Sequence, residues 1–135
     1  MIPKFRAWHK TWQEMGKVKR IRFDDDDGNM TKVLFMGKKF GANENIDEIE
    51  LMQSTGLKDK NGKEIFEGDI ITNGIDIVDV RNHKTLGFYI MVNGREVFFG
   101  HGTSIKEFEG DIEGFTEITE IIGNIYENPE LLEVE

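Results

Sequence analysis

Four successive aspartates, three histidines and two tryptophans are the groups in this chain whose types and spacing invite a chemical reading. Asp24, Asp25, Asp26 and Asp27 would offer a divalent cation several hard carboxylate oxygens. A calcium-binding EF-hand loop needs glycine at its sixth position and a bidentate glutamate at its twelfth. Counting from Asp24 or Asp25 puts Asn29 or Met30 at the sixth, and counts from Leu57 or Asp59 reach Gly68 or Ile70 at the twelfth. The aspartate run is therefore read as a solvated turn, the usual state of a charge run at a loop tip.

His9, His83 and His101 are scattered, and none lies three to five residues from another as zinc-binding histidines do. His101, between Gly100 and Gly102 after Phe98-Phe99, is the best single imidazole for a pocket rim, and is read as an exposed loop histidine. Ser54 and Ser104 are the only serines, and neither sits in a Gly-x-Ser-x-Gly elbow. Glycine-rich phosphate cradles are missing. The chain has no cysteine, which excludes disulfides, thiolate metal sites and a cysteine nucleophile, and suits a reducing compartment. The sequence assigns no catalytic, cofactor-binding or metal-binding residue and requires no cofactor.

Trp8 and Trp12 lie four apart beside Lys4, Arg6, His9 and Lys10, a spacing that puts both indoles on one face if the segment is helical. Aromatics interleaved with cations can stack bases and contact phosphates. The reading preferred here is that the rings pack on the domain while the basic groups stay in solvent.

The elements that must position these groups are short. Lys17 to Phe23 and Met30 to Met36 alternate imperfectly around Asp24–Asn29 and predict a hairpin with an acidic turn. Phe40 to Asn45 reads as a loop, and Ile46 to Met52 as either a strand or one short helical turn. Asn61-Gly62 predicts a type I′ turn joining Gly56–Asp59 to Lys63–Phe66, because both residues tolerate positive φ. Strands are expected at Ile70–Thr72 and Ile75–Val80, with a second hairpin of Phe88–Val92 and Arg95–Phe99 around Asn93-Gly94. Residues 105 to 115 read as a loop, and Thr116 to Tyr126 as a strand bulged at Gly123. Asn128-Pro129-Glu130 carries the signals of a helix start, about one turn long, held by packing of Leu131 and Leu132.

Fifteen glycines, two prolines and many short apolar runs separated by turn dipeptides point to a mainly β fold with little helix, its hairpins forming a small barrel or twisted sheets; α+β is the alternative. At 135 residues and 38% hydrophobic the chain can bury one core. The expectation is one domain over residues 1–135, with a division into an N-terminal hairpin lobe (1–50) and a β-rich lobe (51–135) left open.

The formal net charge is −9, which argues against a nucleic-acid backbone as the default partner of the whole surface. It is unevenly spread: residues 1–40 carry a balance of +5 and residues 41–135 one of −14. The first residues hold charges and a proline where a signal peptide would need an apolar core, and no apolar run reaches membrane-spanning length. A soluble, cytoplasmic protein with no membrane partner is expected.

Lys4-Phe5-Arg6-Ala7-Trp8, the run from Leu51 to Ile70 (LMQSTGLKDKNGKEIFEGDI) and the run from Ile122 to Leu131 (IGNIYENPEL) are familiar as a set. In these three anchors the chain resembles the YopX family of phage and prophage proteins. The resemblance implies a small protein encoded by a bacteriophage or integrated prophage and acting in the bacterial cytoplasm. It brings no activity and no catalytic residue that could be carried over.

Three functions follow as expectations. The first is a non-enzymatic binding or regulatory module, associating with itself or with a host or phage protein, motivated by strand aromatics Phe88, Tyr89, Phe98 and Phe99. The second is a nucleic-acid role, through Lys17, Lys19, Arg20 and Arg22 or by acidic mimicry of DNA. The third and least favoured is a carboxylate-dependent hydrolase.

Overall fold

The computed structural model of the protein describes residues 4–98 and 117–133, arranged in two compact units, Met1–Gln53 and Ser54–Glu135. The first unit is an antiparallel sheet of β1 (Phe5–His9), β2 (Glu14–Phe23), β3 (Met30–Met36), β4 (Gly41–Asn45) and the first half of β5 (Ile49–Lys58), in the order β4-β3-β2-β1-β5. A 3₁₀ turn, Ile46–Glu48, leads into β5. The segment 46–52, for which the sequence supports both strand and helical turn, thus contains one after the other.

One face of this sheet carries the core: Ala7, Val33, Phe35 and Ile49, packed by Val18, Ile21, Ile46 and Leu51. Strand alternation sends every second side chain inward. In β2, however, Lys-Val-Lys-Arg-Ile-Arg cannot keep one phase and put both Val18 and Ile21 inside. A bulge resolves this: Val18 pairs with Phe35 and Arg20 with Leu34, so Lys19 is the extra residue and the phase resets. Gly16 sits under the fully buried ring of Phe35, where a built Cβ would lie 2.6 Å from the ring and 2.6 Å from the Met36 carbonyl oxygen. Only glycine fits that approach.

Phe40–Asn45 is not simply a loop, because Gly41–Asn45 pairs residue for residue with β3. The helical reading of the tryptophans also fails. Trp8 lies in β1, paired on both sides, and Trp12 lies in the following turn, where Gln13 takes a φ of 53°.

The second unit begins with the end of β5 pairing β6 (Glu64–Phe66). Two three-stranded antiparallel sheets follow. One has the order β12-β7-β8, from β7 (Asp69–Thr72), β8 (Ile77–Asp79) and β12 (Glu120–Asn124); the other has the order β11-β10-β9, from β9 (Arg81–His83), β10 (Gly87–Val92) and β11 (Arg95–Phe98). Ile65, Ile71, Val80, Phe88 and Ile90 form the core, with Leu57, Val78, Val92, Val97 and Ile121 packed against it.

The fold is mainly β, as the turn dipeptides predict, and the helical elements bounded within the described residues are two 3₁₀ turns, the second at Pro129–Leu132. The sheets are open, which corrects the small barrel. Closure requires the outermost strands to pair, whereas here the end strands of each sheet do not pair with one another among the described residues.

The two Asn-Gly pairs expected to close hairpins differ. Asn93 and Gly94 take φ values of 52° and 77° and close β10–β11 as a type I′ hairpin. At Asn61-Gly62 only Gly62 has positive φ, and Asp59 N–H bonds the Lys63 carbonyl across a three-residue loop, so the type I′ prediction is wrong there. The bulge near Gly123 is present, between Ile121 and Gly123. Asn128 does not cap the turn it precedes; its side-chain oxygen accepts from Asn124 N–H at 3.2 Å, and that close approach leaves no room for a Cβ on Gly123.

Gly16→Ala tests the packing of the first unit. Overfilling a closed core costs about 1–3 kcal/mol, so its urea midpoint should fall with the m-value unchanged. Phe35→Leu in the same background should recover part of the loss by making room.

Candidate functional site

The side chains best suited to chemistry are those that the backbone engages. Asp59 is 5% exposed. Its Oδ1 accepts from the N–H groups of Asn61 and Lys63, each at 2.9 Å, and its Oδ2 accepts from Ile121 N–H at 3.0 Å. Burial pushes this carboxyl up, but the three N–H donors and the nearby Lys63 charge outweigh it, and Asp59 ends below the ordinary carboxylate range. A carboxylate held this way is an ionised anchor with its lone pairs in use, unsuited to a general base.

Asp69, also buried, accepts from Phe66 N–H at 2.7 Å. Ser54 Oγ bonds the Glu64 carboxylate, and Thr55 Oγ1 donates to the Ile65 carbonyl at 2.7 Å. Asn124 Oδ1 accepts from the N–H groups of Tyr126 and Glu127 at 3.0 and 2.9 Å. The central and C-terminal sequence anchors are thus frameworks of side-chain-to-backbone bonds.

His9 comes nearest to a catalytic arrangement. It is 1% exposed, its Nε2 lies 2.9 Å from Glu44 Oε2, and Trp12 N–H donates to its Nδ1 at 3.1 Å. A ring that accepts at Nδ1 carries its proton on Nε2 and donates it to the glutamate. Trp12 stacks on this imidazole at 4.1 Å with an interplanar angle of 6°, and Phe35 meets it edge-on at 5.2 Å. With both nitrogens bonded and the faces covered, the pair fastens β4 and the 10–13 turn to β1. No signal of spacing could have found it, since His9 and Glu44 are 35 residues apart.

His83 is likewise a turn element: its Nδ1 accepts from Thr85 and Leu86 N–H groups, both at 3.2 Å, and its ring meets Phe98 and Tyr89 edge-on. Tyr89 and Phe98 pair at 5.0 Å, while Phe88 points into the core. His101, Phe99 and Ser104 lie outside the described residues. Asp24 accepts from the N–H groups of Asp26 and Asp27, so the aspartate run is a self-bonded turn. Among the described residues no group of three or more metal-ligating side chains converges.

One face of the first unit gathers cations without partners among the described residues. Lys17, Arg20 and Arg22 of β2 and Lys32 of β3 are exposed on the face opposite the core, and Lys19 joins them as the extra residue of the bulge. None of the five side chains forms a hydrogen bond or ion pair among the described residues. Arg22 and Lys32 stand directly opposite each other across the strand pair.

Asp59→Asn keeps the shape but removes an acceptor, and Asp59→Ala leaves three N–H groups without a partner, at a cost of about 2–4 kcal/mol. Because the folded carboxyl lies below its unfolded value of about 3.9, its contribution is present above that pH and is lost as pH falls through the folded value. Urea midpoints across acid pH should show the gap between wild type and Asp59→Asn closing below about pH 4. A gap constant with pH would refute the ionised anchor.

No curated protein matches the chain. Protein EF1440 from Enterococcus faecalis, known from its crystal structure, is similar at 30% identity over 98% of this chain and 99% of its own, with a TM-score of 0.65. The family model described as YopX protein matches residues 4–133, which takes in all three sequence anchors. The chain belongs to the YopX family.

Proposed function

We propose that this is a non-enzymatic binding module, a phage or prophage accessory protein of the bacterial cytoplasm that works by protein–protein association. The observation that carries this reading is the edge strand β4. It ends its sheet and has no partner on its outer side among the described residues. Proteins usually blunt such an edge with lysine, proline or an inward-pointing charge. In Gly41-Ala42-Asn43-Glu44-Asn45 the one charged side chain is Glu44, which is turned to the core face and hydrogen-bonded to His9 rather than presented at the edge. Phe40, immediately before the strand, is 69% exposed. An unguarded edge with an exposed aromatic at one end fits strand addition by a second copy, whose own β4 is by symmetry the matching edge.

Light scattering on the eluting protein tests this. The wild type should run as a dimer, and Phe40→Asp with Asn43→Lys should run as a monomer with an unchanged circular dichroism spectrum. A wild type that stays monomeric across the micromolar range overturns strand addition by a second copy.

A further inference from the structure

We propose that the outward face of the β2–β3 hairpin binds the sugar–phosphate backbone of a nucleic acid. Three observations converge on this face. The first is the bulge at Lys19. Without it, alternation would turn Arg20 toward the core; with it, Arg20 stands opposite Leu34 on the outer face and Ile21 enters the core beside Val33. One inserted residue therefore places Lys17, Lys19, Arg20 and Arg22 on the same side of a single strand.

The second is the lack of counter-charge. The register extends the face in rows across three strands, Lys17–Met36–Gly41, Arg20–Leu34–Asn43 and Arg22–Lys32–Asn45, and these positions contain no carboxylate. Four of the unit's acidic side chains are engaged elsewhere: Glu14 bonds Lys38 N–H, Glu44 bonds His9 on the core face, and Glu48 and Glu50 bond Thr11 and Lys10.

The third is a tolerated cost. Like charges directly opposite on an antiparallel pair are destabilising, yet Arg22 faces Lys32 with neither side chain paired to an anion among the described residues. A ligand that supplies the missing negative charge turns that repulsion into attraction.

The chemistry of the face selects the ligand. Guanidinium groups fork onto phosphate oxygens, successive outward residues on a strand lie about 6.8 Å apart, and Asn43 and Asn45 add neutral donors beside the cations. The net charge of −9 does not oppose this, because at physiological salt charges more than about 8 Å away are largely screened. The Asp24–Asp27 turn closes the same hairpin, so it limits how far a phosphate chain can run along the strand.

Fluorescence anisotropy of the full chain with labelled oligonucleotides of mixed sequence, as duplex and as single strand, tests the proposal. Binding should weaken steeply as salt rises from about 50 to 200 mM, with a log–log slope of about −3 to −4.5 for up to about five contacted phosphates on duplex. Arg20→Gln with Arg22→Gln should weaken binding at least tenfold and make the slope shallower by about 2. Lys32→Gln should weaken binding while its melting temperature stays level or rises, which separates a ligand contact from a structural role. Asp25→Asn with Asp26→Asn should tighten it.

A flat salt response, full binding by the arginine double variant, or stronger capture of polyglutamate than of nucleic acid would overturn the proposal; the last would assign the face to acidic proteins. The edge-strand reading is independent, since a dimer that binds no oligonucleotide removes this inference alone.

Discussion

A buried carboxylate sets the terms for the second unit. Its strands are three to six residues long, too short for backbone ladders alone to hold their relative positions. Asp59 compensates by drawing N–H groups from its own turn and from Ile121, 62 positions away, onto two oxygens. The charge is what makes this effective: hydrogen bonds to an ionised acceptor are about twice as strong as neutral ones, and here they exceed the desolvation cost of burying it. Asp69 and Asn124 repeat the device with their own neighbours. Where the ladders are short, side chains substitute for missing backbone partners.

The first unit shows the same economy with a different result on each side of its sheet. On the core face, the two polar groups that would look catalytic in isolation, His9 and Glu44, are hydrogen-bonded to each other under Trp12 and Phe35. On the opposite face, the five cations of β2 and β3 form no ion pair among the described residues. Reactive-looking groups are thus consumed by structure, and the unspent electrostatics lies on the surface.

Much of the fold was legible in the sequence. The hairpins around Asp24–Asn29 and Asn93-Gly94 follow from branched and aromatic runs flanking residues that accept tight turns, and Gly123 marked its bulge because a strand glycine has few other uses. The same logic failed at Asn61-Gly62, where Asp59 caps the loop from outside the dipeptide and stabilises a longer turn. It failed at Asn128, whose side chain turns back to Asn124 instead of capping forward. β4 was missed because Gly-Ala-Asn-Glu-Asn has no strand propensity; it is a strand because β3 presents a ladder beside it.

The candidate surface shows the same boundary. The identities of Lys17, Lys19, Arg20 and Arg22, and the excess of positive charge near the start, are properties of the chain alone. So are the mainly β character and the family anchors, because local turn preference and side-chain branching act over a few residues. Which face those cations occupy was decided by tertiary structure: the pull of Val18 and Ile21 toward one core forces the bulge at Lys19. The partnering of His9 with Glu44 and of Asp59 with Ile121 was decided there too. Contacts across 35 and 62 residues depend on packing, and local sequence carries no record of it.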